Sequence, residues 1–378
     1  MRLMYVLSQF SLGGAENHVA DLVADQVRRG NDVMVLGLRE GQNDPSGYRA
    51  LLEEHGATTE VPQSPWQGKR CPPGLLWWMD RRIRGFGPDL IHTHLPAADI
   101  AVAAWRRLRR ARLPVVSTVH GWEPRYSATV NRWLLRQTYN RADALIAVSG
   151  WLKTVTSGLG VNDDLFSVVH HGQSTMQPLA GESPVIRAEL RETFGGQDVT
   201  VIGTVGRLAV QKGIDVLIQA VSRLPEGFRL VVLGADEGEG DSLAALAEEL
   251  GVSQRCRFVG FQQDPDRWIS AFDVFALPSR WEGFGLVLLE AAGCGVPVVA
   301  TDIAPINEII RNGCDGLLVP VDDPDALAQA IQRVALDPVL SDRLRQSFSS
   351  RIATEFSESR MLDSVGRIYD ELLGTAAT

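Results

Sequence analysis

Cysteine is scarce. The chain has four in 378 residues, Cys71, Cys256, Cys294 and Cys314, far apart and without a C-x-x-C pair. That spacing excludes a zinc ribbon, a redox dithiol and a disulfide-stapled miniature, and leaves reduced, buried thiols as the expectation. Long apolar runs are missing as well, since none approaches the ~18 residues that cross a bilayer. The opening stretch Met1–Ser8 carries one basic residue and an apolar run too brief for a signal peptide, so it reads as a first strand and points to a cytoplasmic location. Any membrane contact is therefore expected to be peripheral, on the inner face. Positive charge is in deficit too. With 37 Lys/Arg against 46 Asp/Glu the net charge is −9, and an acidic chain lacks the basic footprint that a nucleic-acid backbone requires.

What is present is ordinary for a folded protein, with 45% apolar and 22% charged residues. The length exceeds one typical hydrophobic core and suggests two domains. Charge divides between them: residues 1–190 hold 21 Lys/Arg against 18 Asp/Glu, or +3, and residues 191–378 hold 16 against 28, or −12.

Short apolar runs alternate with amphipathic ones. Strands are expected at Leu3–Leu7, Asp32–Leu38, Leu90–His92, Val115–Val119, Ala144–Val148 and Phe166–Val169, separated by helical patterns. This βα rhythm implies a mostly parallel sheet covered on both faces. It lapses over about Ser174–Asp198, which reads as a linker plus a short helix. It then restarts with strands at Thr200–Val205, Arg229–Leu233, Arg257–Gly260, Val274–Leu277, Val296–Ala300 and Gly316–Val319. Apolar residues at Met361, Leu362, Val365, Ile368, Tyr369 and Leu372 mark one face of a last helix, Glu358–Leu373. The division expected is 1–175, 176–357 and a closing segment 358–378.

The densest chemistry lies in Pro278-Ser279-Arg280-Trp281-Glu282-Gly283-Phe284-Gly285-Leu286-Val287-Leu288-Leu289-Glu290. A strand ends, a glycine-containing loop turns and an apolar helix begins. Helix N-termini offer unpaired amides and partial positive charge, and glycines let a ligand approach the backbone, so the loop suits a phosphate. Arg207 and Lys212 follow the second domain's first strand, at the carboxyl end where open α/β sheets place ligands.

The E-x7-E pair Glu282/Glu290 resembles that of family-4 retaining glycosyltransferases with the GT-B architecture. The likeness continues in Gly13-Gly14-Ala15-Glu16, His92-Thr93-His94, Thr118-Val119-His120-Gly121, Ala147-Val148-Ser149, Val205-Gly206-Arg207-Leu208, Lys212-Gly213 and Gly295-Val296-Pro297-Val298-Val299-Ala300-Thr301, so it spans nearly the whole chain. The resemblance implies two Rossmann-like domains facing across a cleft, with the last helix crossing back to the first domain. It implies a nucleoside-diphosphate sugar as donor substrate, with no cofactor and no metal, and a saccharide or lipid-linked acceptor in envelope polysaccharide or glycolipid synthesis. By the same likeness Arg207 and Lys212 clamp the diphosphate, Glu290 accepts from the ribose hydroxyls, and Glu282 lies beside the transferred sugar. Gly283, Phe284, Gly285 and Leu286 line the donor, His120 faces the sugar, and Gly13 and Gly14 aim amides at the diphosphate or acceptor. His92 and His94 are expected to pack. Two departures stand out: His170-His171-Gly172-Gln173-Ser174 replaces an Asn-Gly pattern, and Gly234-Ala235-Asp236-Glu237-Gly238 replaces a Gly-x-Gly-Pro turn.

Other readings remain open. A GT-B-shaped sugar-nucleotide epimerase would share the diphosphate grip, and a non-catalytic sugar-nucleotide binder would share the fold. A nicotinamide enzyme fits poorly, because Ser11-Leu12-Gly13-Gly14-Ala15 lacks G-x-G-x-x-G even though Glu40 ends the second strand region. Asp264-Pro265-Asp266 and Asp323-Pro324-Asp325 look like metal-binding D-x-D but place Asp before Pro, which is helix N-cap and N1 chemistry. Residues 81–153 carry 13 Lys/Arg against 4 Asp/Glu, among them Arg81, Arg82, Arg84, Arg106, Arg107, Arg109, Arg110 and Arg112, with Trp77 and Trp78 adjacent. That composition suits reversible docking on an anionic membrane surface.

Overall fold

The computed structural model describes residues 1–10, 13–39, 47–62, 73–122, 128–173, 183–196 and 198–374. Cys71, Glu40 and residues 174–182 and 197 of the expected linker segment lie outside them, while its short helix is Ser183–Thr193. Two compact units form, Met1–His171 with Met361–Thr378, and Gly172–Arg360.

The first unit holds seven strands: β1 Arg2–Leu7, β2 Asp32–Gly37, β3 Thr58–Glu60, β4 Leu90–His94, β5 Val115–Val119, β6 Ala144–Ala147 and β7 Phe166–Val168. All pairs are parallel, in the order β3-β2-β1-β4-β5-β6-β7. Five consecutive residues of β1, and all of β4 and β5, are buried, the signature of a sheet covered on both faces. On one face the core joins Leu3, Tyr5, Val19, Val23 and Val35 to Met361, Leu362, Val365, Ile368 and Tyr369. The last helix, Glu358–Leu373, thus has the predicted range and delivers its apolar stripe to the first unit's core.

The second unit holds six parallel strands: β8 Thr200–Val205, β9 Phe228–Leu233, β10 Cys256–Gly260, β11 Val274–Leu277, β12 Val298–Thr301 and β13 Leu317–Val319, in the order β10-β9-β8-β11-β12-β13. Its core runs through Ile202, Leu217, Leu230, Val274 and Ile331, from strands and from the helices Ile214–Arg223 and Pro324–Leu336.

Strand order reverses between β1 and β4 in one sheet and between β8 and β11 in the other. At such a reversal the helices after the two neighbouring strands leave to opposite faces, so a crevice opens at the strands' carboxyl ends. Both predicted loop clusters stand at these two points. Among the described strands and α-helices, three were not expected from the sequence: the polar edge strand β3 and the helices Gly47–Glu54 and Ile306–Ile309. The thiol expectation needs correction at Cys314, which is exposed, whereas Cys256 and Cys294 are partly buried. Cys314 lies within the turn at residues 313–315, between the bridged residues Asn312 and Gly316, with its amide bonded to the Arg311 carbonyl at 2.9 Å.

Candidate active site

In the second unit the loop after β8 carries Arg207 and a single 3-10 turn, Val210–Lys212, before the helix Ile214–Arg223. The loop after β11 runs from Pro278 to Gly285 and feeds the helix Leu286–Gly293. Because β8 and β11 are neighbours, these loops meet. Gly213 makes the approach possible: it has φ +63°, and a Cβ there would sit 2.1 Å from the carbonyl oxygen of Pro278. Any other residue would both strain the backbone and push the loops apart.

Side chains then stitch the loops. Lys212 Nζ donates to Glu282 Oε1 at 2.5 Å, with side chains only 15% and 7% exposed. Ser279 Oγ donates to the same oxygen at 2.7 Å, and Thr301 Oγ1 at the end of β12 holds the Ser279 carbonyl at 2.5 Å. Glu282 Oε2 accepts no hydrogen bond among the described residues. Arg280 is the rivet behind them. It grips Asp215 with both terminal nitrogens at 2.9 and 2.7 Å, donates to the Val210 carbonyl at 2.7 Å, and reaches Asp322 with Nε at 2.8 Å. One planar guanidinium thereby ties the loops after β8, β11 and β13, a task suited to arginine's fixed fork of donors. Asp215 and Asp322 accordingly raise the Arg280 pKa.

Arg207 is half-exposed. Its Nη1 lies 2.7 and 2.8 Å from the two oxygens of Glu237, and Nη2 donates to Gln211 Oε1 at 3.2 Å. Glu290 sits on the fifth residue of its helix without a side-chain partner among the described residues. Burial pushes its carboxyl up to about 7, nearby Asp266 adds to the rise, and Lys212 opposes it. Phe284 is core, packed edge-on against Phe356 with ring centroids 6.2 Å apart, so any ligand role there belongs to its backbone. Gly285 caps the helix at φ +103° with no side-chain cap bond, leaving the first amides of Leu286–Gly293 without one.

In the first unit Gly13 caps the helix Gly14–Arg28 without a side-chain cap bond. The Glu16 carboxylate lies 2.7 Å from where a Gly13 Cβ would be, so a side chain there would dislodge it. His120, at the end of β5, shares a hydrogen bond with His94 at 2.9 Å, Nε2 to Nδ1. It belongs to a cluster the sequence did not reveal. His18, His92, His94, His120 and His171, five of the seven histidines, pack with ring centroids between 4.1 and 6.0 Å apart. His92 lies within hydrogen-bond distance of the Tyr369 hydroxyl at 2.6 Å and of Thr118 at 2.7 Å, which gives it the expected packing role. Both nitrogens of His18, Nε2 of His94 and Nδ1 of His120 are buried without a hydrogen-bond partner among the described residues. Burial lowers the pKa of all five, that of His18 to about 3. The one sequence signal for this cluster was positional: three of the five sit at or just past strand ends, and His92 lies two residues before His94 on β4. His18 carried none.

Neither D-x-D look-alike belongs to a metal cluster among the described residues. Asp323 caps the helix Pro324–Leu336 by accepting from the Ala326 amide at 2.9 Å. Asp264 takes the cap position of Pro265–Ile269 but makes no cap bond.

Comparison with known proteins bears on family and fold. The family described as Glycosyl transferases group 1 matches residues 199–337, and that described as Glycosyltransferase Family 4 matches residues 12–175. A D-inositol 3-phosphate glycosyltransferase of Xylanimonas cellulosilytica is 30% identical, over 93% of this chain and 91% of that one. The lipopolysaccharide core biosynthesis glycosyltransferase LpsD of Rhizobium meliloti is 29% identical over 95% of each. The crystal structure of Anabaena HepE in complex with UDP and glucose superposes with a TM-score of 0.86 at 24% identity, covering 98% of this chain and all of that one. Two parallel Rossmann-like sheets, loops gathered at both switch points and these likenesses together place the chain in glycosyltransferase family 4, with the GT-B fold.

Proposed function

We propose that this glycosyltransferase moves a sugar from a nucleoside-diphosphate donor to a saccharide or lipid-linked hydroxyl, with retention of anomeric configuration and without a metal ion. The observation that carries this is the pair of stitched loops at the β8/β11 reversal, which gather two cations, two carboxylates and an uncapped helix N-terminus at the carboxyl end of the two central strands. Arg207, Lys212 and the amides from Gly285 onward meet the diphosphate charge as the bond from the anomeric carbon to the phosphate oxygen breaks. The leaving oxygen keeps that electron pair and takes the acceptor hydroxyl's proton, while the acceptor oxygen bonds to the anomeric carbon on the same face. Glu282, whose Oε1 is held by Lys212 and Ser279, keeps Oε2 for sugar hydroxyls and favours positive charge at the anomeric centre. Glu290 accepts from the ribose hydroxyls. For His120 and the Gly13–Gly14 loop the support is the family likeness, toward the sugar and the diphosphate.

The test is transfer itself. With UDP-, GDP-, ADP- and dTDP-sugars offered separately, one base is expected to raise the melting temperature, and the product should keep the donor's anomeric configuration by proton NMR. Activity is expected to persist in EDTA, and complete chelator inhibition reversed by Mg²⁺ or Mn²⁺ would overturn the metal-free reading. Release of free nucleotide at equal rates with and without acceptor would favour the epimerase instead.

A membrane-surface reading has its own observation. No helix among the described residues is long and apolar enough to cross a membrane. Yet Val130 and Trp133, 75% and 62% exposed, lie one turn apart on the helix Thr129–Tyr139, and Trp77 and Leu108 are 63% and 69% exposed. The side chains of Arg107, Arg110, Arg112 and Arg136 have no ion-pair or hydrogen-bond partner among the described residues. Arg106 and Arg109 are committed elsewhere, to Asp143 and Asp80. Four cations near anionic lipid contribute about 4 kcal/mol in all, weakened by salt. Sedimentation with anionic vesicles at low salt is expected, and its absence, or equal binding to neutral vesicles, would leave a soluble acceptor.

A further inference from the structure

The turn Gly234–Gly238, where this chain departs from the Gly-x-Gly-Pro pattern, places a carboxylate on the arginine assigned to the diphosphate. We propose that Glu237 is a competing internal anion that occupies Arg207 in the empty enzyme and must be displaced by the donor diphosphate, so that it sets donor affinity and its dependence on salt. The proposal rests on the reading of Arg207 as a diphosphate ligand.

Three observations support it. The β8/β9 ladder continues past both strand ends: Gly206 N donates to Leu233 O at 2.9 Å, Leu208 N to Ala235 O at 2.8 Å, and Glu237 N to Leu208 O at 3.2 Å. Arg207 and Glu237 are therefore brought together by backbone register and do not depend on a chance meeting of two long side chains. The turn carrying Glu237 is itself braced. Asp236 Oδ1 accepts from the amides of Gly238, Glu239 and Gly240 at 2.8, 3.0 and 3.0 Å, which fixes the path on the far side of Glu237. Finally, both Glu237 oxygens converge on one terminal nitrogen of Arg207 while Gln211 holds the other.

Charge then decides what a donor meets. Lys212 is already paired with Glu282 in a nearly closed environment, a pair that is costly to open. Arg207 and Glu237 are 54% and 45% exposed, so their pairing is weak and water can take over either partner. An arriving diphosphate, with more charge and more acceptor oxygens than a carboxylate, wins Arg207 but loses whatever the internal pair was worth, and the released carboxylate remains as a like charge nearby. Glu237 is the adjustable element at this end of the sheet.

The experiment is isothermal titration of UDP, GDP, ADP and dTDP into wild type, Glu237→Gln, Arg207→Ala and the double variant, at 50 and 300 mM NaCl. For the nucleotide that binds wild type, Glu237→Gln is expected to bind about two- to fivefold more tightly at low salt, the scale of an exposed ion pair. The gain should shrink at high salt and vanish in the Arg207→Ala background. An unchanged or weaker affinity in Glu237→Gln, with Arg207→Ala clearly weakened, would overturn this inference while leaving the diphosphate reading intact. Persistence of the gain without Arg207 would also overturn it, since Glu237 would then act through its field alone. Arg207→Ala binding as wild type does, or wild type binding none of the four, would remove the diphosphate reading itself and this inference with it. Glu237→Ala, which cannot keep Gln's hydrogen bond to Arg207, should give at least the same gain.

Discussion

Lys212→Ala is expected to lower the transfer rate by about two to three orders of magnitude, the cost seen when a preorganised donor to developing negative charge is lost. The diphosphate gains charge as the glycosidic bond breaks, so a cation beside it contributes more in the transition state than in the bound donor, and the loss should fall on kcat. Fold has to be separated from chemistry here. Lys212 is the buried partner of Glu282, and removing one member of such a pair costs about 3–5 kcal/mol of stability. Lys212→Met combined with Glu282→Gln removes both charges and should recover the melting temperature without recovering the rate. Arg207→Ala makes the same test at a half-exposed position, where stability should change little. Glu290→Gln should act differently, chiefly weakening nucleotide binding. Rates and donor affinity near wild type in folded Lys212→Ala, Arg207→Ala and Glu290→Gln would remove the site assignment.

Mild acid is expected to unfold the first unit. His18, His92, His94 and His171 are at most 4% exposed, and burial holds each far below the ordinary value of 6.5. A histidine whose folded pKa is depressed binds fewer protons folded than unfolded, so its contribution is fully present above the unfolded value and is lost as pH falls below it. Each such group costs about 1.4 kcal/mol per pH unit below 6.5 until its folded pKa is reached. All four act in the same direction, so their costs accumulate as pH falls. Protonating one ring also places charge against the others, because His18 and His171 stand 4.5 Å apart and His92 and His94 4.1 Å. Circular dichroism melts between pH 7.5 and 5 should show the melting temperature falling steeply once pH drops below about 6.5. A flat profile down to pH 5 would show that the cluster accommodates protons in the folded state. His18 has no hydrogen-bond partner to lose among the described residues, so His18→Phe should reduce the slope by about one group's share.

Much of this architecture was legible in the chain. Parallel strands buried on both faces appear as unbroken apolar runs, so twelve of the thirteen strands were located within a few residues. The last helix showed its period plainly, and the ordered motifs named the fold. Edge strand β3, with the sequence Thr-Thr-Glu, carried no such signal, since three polar residues at a sheet edge bury only Thr59. The chemistry-bearing residues Arg207, Lys212, Glu282 and Glu290 stood out because glycine loops and a helix start are local features that need few residues to declare themselves. Their partners did not. Lys212 and Glu282 are 70 residues apart, Arg280 and Asp215 are 65 apart, and His92 reaches Tyr369 across 277. Those meetings depend on which strands lie side by side, a property of the assembled sheet, where hydrophobic burial of many residues fixes the order and individual polar contacts follow. Sequence by itself determined the two βα units and marked the loops proposed to hold a diphosphate. Only the tertiary structure decided that Glu237 would lie on Arg207, that Arg280 would rivet three loops, and that five histidines would share one interior, because each requires chain segments distant in sequence to be neighbours in space.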